Sequence, residues 1–444
     1  MGTICVFESE ARFGSWACLY HHAMQSQNFE PSVRQNASLA LAARTANIEP
    51  FHVMELVKRA HALELAGRSI VHMSIGEPDF TAPQSVIDAL AAAMQRGAAQ
   101  YTAALGIMPL RRAISNFYRE RHGIHIAPER IVVTAGASGA LLLTMAALVD
   151  PGAEVLMPDP CYPCNRHFVA AFDGVAKLVA SGPEDRFQLS TKMVEQHWGA
   201  KTRGVLVASP SNPTGTSIAE EELRGIIAAV RARGGFAIVD EIYLELSYND
   251  AGHRHRSVLE LIGDAADDVI VINSFSKYFN MTGWRLGWLV APPQLVPTFE
   301  KLAQNLYICA STPAQYAALA CFEPATLAIY EARKAEFRRR RDYIVPALRE
   351  VGFDVPVTPD GAFYVYADCS RFIGGDVPDS GALADLILEE AGVALVSGQD
   401  FGNNQPERWL RLSYATSMAN LHEAVARLHH VLDPRAMKRS ALST

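Results

Sequence analysis

Between residues 130 and 292 one pattern recurs six times: a short, continuous run of apolar and β-branched residues that stops at Gly, Pro, Asp or Ser. The runs are RIVVTAG (130–136), EVLMPDP (154–160), GVLVASP (204–210), GFAIVDE (235–241), DVIVINS (268–274) and RLGWLVAP (285–292), and helical stretches such as EEELRGIIAAVRARG (220–234) lie between many of them. A strand that is apolar at every position must be covered on both faces. Helices returning between such strands supply that cover, so the pattern predicts an α/β fold with a mostly parallel sheet. From about residue 320 the texture changes to a long charged helical segment, ATLAIYEARKAEFRRRRDYIVPALREVG, and then to shorter strand-like pieces, GAFYVYAD and ERWLRLSYA. At 444 residues the chain is long enough for more than one core. The expected division is a loosely ordered extension (1–44), a segment joining a small domain (45–84), a large α/β domain (85–320), a small α+β domain (321–432) and a polar tail (433–444).

Composition removes several classes of function. A formal net charge of −7 leaves no basic footprint for nucleic acid. The apolar stretch GALLLTMAALV (139–149) falls well short of the roughly 20 residues needed to cross a bilayer, so it reads as a core helix and no membrane partner is expected. Seven cysteines, an odd number and mostly scattered, fit reduced thiols and a cytoplasmic location. Cys161 and Cys164 form one CxxC, read as two loop thiols. His122 and His125, like the doublets His21–His22 and His429–His430, read as solvated surface residues, and no metal site is expected.

In open α/β sheets ligands bind beyond the carboxyl ends of the strands. Polar residues stand there in turn: Gly136, Ala137 and Ser138 after RIVVT, Asn212 in SPSNPTG, Asp240 and Tyr243 in VDEIY, and Ser274, Ser276 and Lys277 after DVIVI. A helix start near Ser138, two serine hydroxyls and Arg285 suit a phosphate monoester. GxGxxG and GxxxxGK[ST] are both absent, which disfavours dinucleotides and ATP. A phosphate, a reactive lysine and a buried carboxylate together suit pyridoxal 5′-phosphate, whose aldehyde takes the lysine as a Schiff base and whose pyridine nitrogen needs an acidic partner.

SFSKYFNMTGWRLG, with Gly283, Arg285 and Gly287 in place, resembles the lysine signature of the class I/II aminotransferases of fold type I, and SNPTG and VDEIY match in order and separation. The likeness runs from about residue 45 to 430. It implies a large α/β domain around a mostly parallel seven-stranded sheet and a smaller α+β domain. It further implies that Lys277 carries the cofactor as an internal aldimine and moves the substrate's Cα proton, that Asp240 keeps the pyridine nitrogen protonated, and that Asn212 and Tyr243 bind the phenolic oxygen. Gly136, Ala137, Ser138, Ser274, Ser276 and Arg285 would hold the phosphate, and Tyr162 would stack on the ring, against the competing reading of a turn tyrosine. Tyr101, in QYTAALG, resembles the tyrosine that reaches the phosphate of a neighbouring subunit, which implies a homodimer. Arg411, in RWLRLSYA, resembles the arginine that grips the substrate's α-carboxylate, together with Gly76 in SIGEPDF and with Asn212. The competing reading for Arg411 is a surface ion pair, and Arg408 is expected to be the solvent-exposed arginine. Gly361 and Phe363 resemble a wall near the substrate. The implied reaction is ping-pong amino transfer between an L-amino acid and a 2-oxo acid such as 2-oxoglutarate or pyruvate. The alternatives are a C–S β-lyase or decarboxylase on the same fold, and an aminotransferase-like cofactor-sensing regulator.

Overall fold

The computed structural model describes residues 40–50, 52–248, 250, 254–263 and 266–433. The expected extension up to residue 39 and the tail from 434 lie outside the described residues. In chain order the strands are β1 (Val71–His72), β2 (Ile131–Thr134), β3 (Glu154–Asp159), β4 (Val175–Ala180), β5 (Thr202–Ala208), β6 (Phe236–Asp240), β7 (Val269–Ser274), β8 (Gly287–Val290), β9 (Tyr364–Asp368), β10 (Val393–Ala394), β11 (Val396–Ser397) and β12 (Trp409–Ser413).

Seven strands form one sheet in the order β2-β8-β7-β6-β5-β3-β4. The pairings β7–β6–β5–β3–β4 are parallel, and β8 runs antiparallel to both its neighbours, β2 and β7. Six strands therefore share one direction and deliver their carboxyl ends to one rim. All six apolar runs are strands of this sheet. β4, with the sequence VAKLVA, is the one it adds, and it lies at the sheet's edge with a mostly part-exposed pattern that no continuous apolar run announces.

Helices cover the sheet for reasons visible in their sequences. Helix Glu220–Arg231 buries Leu223, Ile226, Ile227 and Val230, the i, i+3, i+4, i+7 face, and places three glutamates in its first turn and Arg231 in its last, each favourable to the helix dipole. Helix Gly136–Leu148 is apolar along most of its length and buries residues from Gly136 to Met145, as expected for a core helix. The long charged segment is the helix Pro324–Val351, opened by a proline in its first turn and closed at Gly352 with φ of 116°. Its buried arginines are paired: Arg340 with Asp79 and Arg341 with Asp250.

A second, three-stranded sheet has the order β11-β12-β9 and is antiparallel throughout. β1 leaves the N-terminal part of the described chain and pairs in parallel with β10. Among the described residues no helix is long and apolar enough to cross a membrane.

Candidate active site

The rim owes its shape to one return of the chain. β7 ends at Ser274, the segment 275–286 carries Lys277 outward and back, and β8 re-enters the sheet at Gly287, which pairs with both Thr134 of β2 and Ser274 of β7. A Cβ at Gly287 would stand 2.7 Å from the carbonyl carbon of Gly136 and 2.8 Å from the amide nitrogen of Ala137, so only glycine lets β8 pass the start of helix Gly136–Leu148 this closely. Three parts of the sequence thereby meet: Gly136, Ala137 and Ser138 at the helix start, Ser274 at the end of β7 with Ser276 just beyond it, and Arg285. Ser274 Oγ bonds Ser276 Oγ at 3.0 Å, and Arg285 Nη1 lies 3.5 Å from Ser276 Oγ. A Cβ at Gly136 would stand 2.7 Å from Arg285 Nη2. The missing side chain at residue 136 thus gives the Arg285 guanidinium room beside the helix start and the serine hydroxyls, and these together are the donor set an oxyanion requires.

Lys277 turns its amine inward. Its Nζ donates to the carbonyl of Gly76 at 2.5 Å and lies 5.9 Å from the ring centroids of both Tyr243 and Phe363. Burial pushes its pKa down to about 8, with Glu77 opposing the shift and Arg285 and Arg411 adding to it. Asp240 ends β6, buried, with Oδ1 accepting the Ile242 amide at 3.0 Å. Burial raises its carboxyl to about 6, while the Ile242 amide and Lys277 pull the other way.

Arg411 lies in β12 and is only 2% exposed, so it is no surface ion-pair arginine. Its guanidinium is sandwiched between the rings of Tyr364 at 4.8 Å and Phe401 at 4.9 Å. Nη1 donates to Asn212 Oδ1 at 3.1 Å, Nη2 donates to the Ser74 carbonyl, and the buried Nε has no partner. Ser74 Oγ is likewise buried and unpartnered. Tyr243 Oη meets Tyr364 Oη at 2.7 Å. Arg408, on the same segment, pairs with Asp368 and is partly exposed, as expected.

The family profile for aminotransferase class I and II matches residues 68–428. The chain belongs to the class I and II aminotransferases. Valine–pyruvate aminotransferase of Mycobacterium tuberculosis is 37% identical over 386 residues, 87% of this chain and 97% of that protein. Aspartate aminotransferase of Geobacillus stearothermophilus is 33% identical over 401 residues, 90% of this chain and all of that one. Among solved structures, an aminotransferase from Mycobacterium tuberculosis superposes with a TM-score of 0.84 at 37% identity, covering 89% of this chain and 99% of that one. Aspartate aminotransferase from Thermus thermophilus with maleate gives 0.82 at 32% identity, covering 89% and 100%.

This class I/II aminotransferase has the fold type I architecture, and its cofactor is pyridoxal 5′-phosphate. The rim suits that group: a partly neutral lysine amine, a buried carboxyl beside it, an oxyanion cradle at Gly136 and Arg285, and orphaned buried donors on Arg411 and Ser74. Of the residues singled out in the sequence, Lys277 touches Gly76 and faces Tyr243, and Arg411 touches Asn212, while the charges of Asp240, Arg285 and Arg411 are near enough to act on the Lys277 amine. Tyr162 is the residue capping the start of helix Pro163–Ala170, and its hydroxyl bonds Cys164. Tyr101 stands apart, 80% exposed.

Two expectations are corrected. His122 is not a solvated surface histidine: it is buried, with Nε2 2.7 Å from Glu245 Oε1 and Nδ1 2.8 Å from Glu260 Oε1. His125, His429 and His430 are exposed, and His21 and His22 lie outside the described residues. Cys161 and Cys164 are not both loop thiols, because Cys164 lies inside helix Pro163–Ala170. Sequence reasoning also passed over Tyr364, Phe401 and Ser74. Tyr364 adjoins Phe363 in the segment GAFYVY, a signal that was available; Phe401 carries no local signal.

Proposed function

We propose that the residues gathered at this rim carry out amino transfer from an L-amino acid to a 2-oxo acid in two ping-pong half-reactions. When bound, pyridoxal phosphate supplies an aldehyde that condenses with amines and a ring that accepts the electron pair released at Cα. Lys277 would anchor it through the ε-amine and, when that amine is free, would carry the proton to and from the substrate's Cα. Burial serves this step, since an amine near pKa 8 keeps a usable neutral fraction at neutral pH. Asp240 would hold the proton on the pyridine nitrogen, and a cation placed against its carboxyl would lower a pKa that burial, opposed by the Ile242 amide and Lys277, leaves at about 6. Asn212 and Tyr243 bind the phenolic oxygen. Gly136, Ala137, Ser138, Ser274, Ser276 and Arg285 hold the phosphate, with Tyr162 against the ring face.

Arg411 takes the α-carboxylate, joined by Asn212 and the backbone at Gly76. The orphaned Nε supports this role, because a carboxylate placed beside it would satisfy a donor that the protein leaves unpaired. We assign residues 85–320 to a large domain and 45–84 with 321–432 to a small one; the β1–β10 pairing supports this division. The reading includes a homodimer in the cytoplasm, each subunit lending Tyr101 to its neighbour's phosphate. The exposure of Tyr101 and the free state of Cys161, Cys164, Cys309, Cys321 and Cys369 support it.

The observation that carries the reading is the enclosed amine of Lys277, held between aromatic rings and the Gly76 carbonyl, with Arg411 close enough to depress its pKa. The test is a donor screen on purified protein with pyridoxal phosphate, using 2-oxoglutarate or pyruvate as acceptor. Glutamate or alanine should form, and Lys277→Ala should abolish it. Valine with pyruvate belongs in the first round, given the name of the Mycobacterium tuberculosis relative. No product from any donor, or ammonia and pyruvate released from cystathionine instead, would overturn amino transfer as the main reaction.

A further inference from the structure

We infer that Tyr364 is a positioning residue of this reaction: it ties the arginine that grips the substrate's carboxylate to the tyrosine that serves the cofactor's phenolic oxygen. The inference rests on the roles proposed above for Arg411 and Tyr243. Tyr364 begins β9 opposite Ser413 of β12, and Arg411 faces Tyr366, so Tyr364 and Arg411 are diagonal neighbours on one face of the small sheet. The ring lies 4.8 Å under the guanidinium, and the hydroxyl reaches Tyr243 Oη at 2.7 Å. The same hydroxyl occupies the place a Cβ of residue 76 would need. Gly76 therefore lets it in, and the Gly76 carbonyl receives Lys277. One side chain thus touches the carboxylate grip, the backbone that holds the lysine, and the phenolic-oxygen donor.

Proton counting gives this contact a direction. A tyrosine hydroxyl has one hydrogen to donate. If Tyr243 donates its hydrogen to the phenolic oxygen, the bond between the two tyrosines has to be donated by Tyr364. A hydroxyl that accepts one hydrogen bond is polarised into a better donor, so Tyr364 strengthens the grip of Tyr243 on the phenolic oxygen. Weakening that grip leaves the oxygen holding the proton it shares with the lysine–cofactor nitrogen more tightly, and that proton then departs at higher pH.

The experiment is a pH titration of the visible absorbance of substrate-free holoenzyme for wild type, Tyr364→Phe, Tyr243→Phe and the double variant. Tyr364→Phe should raise the midpoint by about 0.3 to 0.7 pH units, roughly a two- to five-fold change in proton affinity. In the Tyr243→Phe background it should add nothing, because the path through Tyr243 is already cut. Tyr364→His, which returns an N–H donor, should recover part of the shift and serves as the second variant should the phenylalanine protein not fold. A midpoint for Tyr364→Phe unchanged from wild type would overturn the inference. So would a shift that persists in full without the Tyr243 hydroxyl, since either result leaves Tyr364 as packing alone. Failure of the underlying function looks different: wild-type protein that binds no pyridoxal phosphate, or Lys277→Ala protein that keeps its turnover.

Discussion

Replacing His122 with glutamine should cost stability in a strongly pH-dependent way. His122 ends helix Met108–His122 with its side chain 4% exposed, held by Glu245 at 2.7 Å and Glu260 at 2.8 Å. Burial alone would lower its pKa, but hydrogen bonds and charge from the two glutamates more than reverse this and leave it at about 9, against an ordinary 6.5. Glu245 shows the same interaction from the other end: burial would raise it, while His122 and Arg121 bring it down to about 2. The interaction is therefore counted once. The native state binds the His122 proton more tightly than the unfolded chain, so its contribution is complete below the unfolded pKa and fades as pH rises through about 9. Holding the proton at a pKa of about 9 rather than 6.5 corresponds to roughly 3 kcal/mol, and the variant also leaves two buried carboxylates with less cationic compensation. Urea unfolding at fixed protein and cofactor concentration measures it. Wild type should exceed His122→Gln by about 3 kcal/mol near pH 6 and by less than about 1 kcal/mol near pH 10. A difference that is constant across this range, or that grows with pH, would refute the argument that a protonated imidazole bridges these glutamates.

Asp240→Asn should slow the donor half-reaction by about a hundredfold or more, since an amide cannot hold a cationic ring nitrogen as a carboxylate does; single-turnover absorbance with one donor reads it. Arg411→Lys keeps the charge but loses the planar fork and the stacking between Tyr364 and Phe401. It should lower kcat/KM by roughly ten- to a hundredfold, mainly through KM, as steady-state kinetics over a range of donor concentrations would show. If Tyr101 serves the neighbouring subunit, mixing Tyr101→Ala with Lys277→Ala protein under conditions that exchange subunits should restore about a quarter of wild-type activity, because a hybrid dimer contains one intact site. Inactive mixtures would place Tyr101 outside the shared site.

The parts of this protein legible in its sequence are those with a short-range cause. Continuous apolar runs such as DVIVI and GVLVA can only be strands covered on both faces, and residues just beyond them, Lys277, Asp240 and Asn212, are brought to one rim by strand direction alone. β4 escaped because an edge strand tolerates lysine and exposed positions, so VAKLVA carries no continuous apolar signature. His122 misled for a related reason. Its partners Glu245 and Glu260 lie 123 and 138 residues away, and nothing within its own helix distinguishes a bridged histidine from a wet one. Ser74 and Phe401 reach Arg411 from separate segments, and only the tertiary fold reveals that they meet.

The tight passage of β8 past helix Gly136–Leu148 means that position 287, which bears no side chain, sets how the segment carrying Lys277 returns to the sheet. A single methyl there would press β8 away from the start of helix Gly136–Leu148 and from Asn273 of β7, and the displacement would reach Arg285 and Lys277 together. The spot least equipped for chemistry is thus the one whose emptiness keeps the two flanks of the proposed active site in alignment.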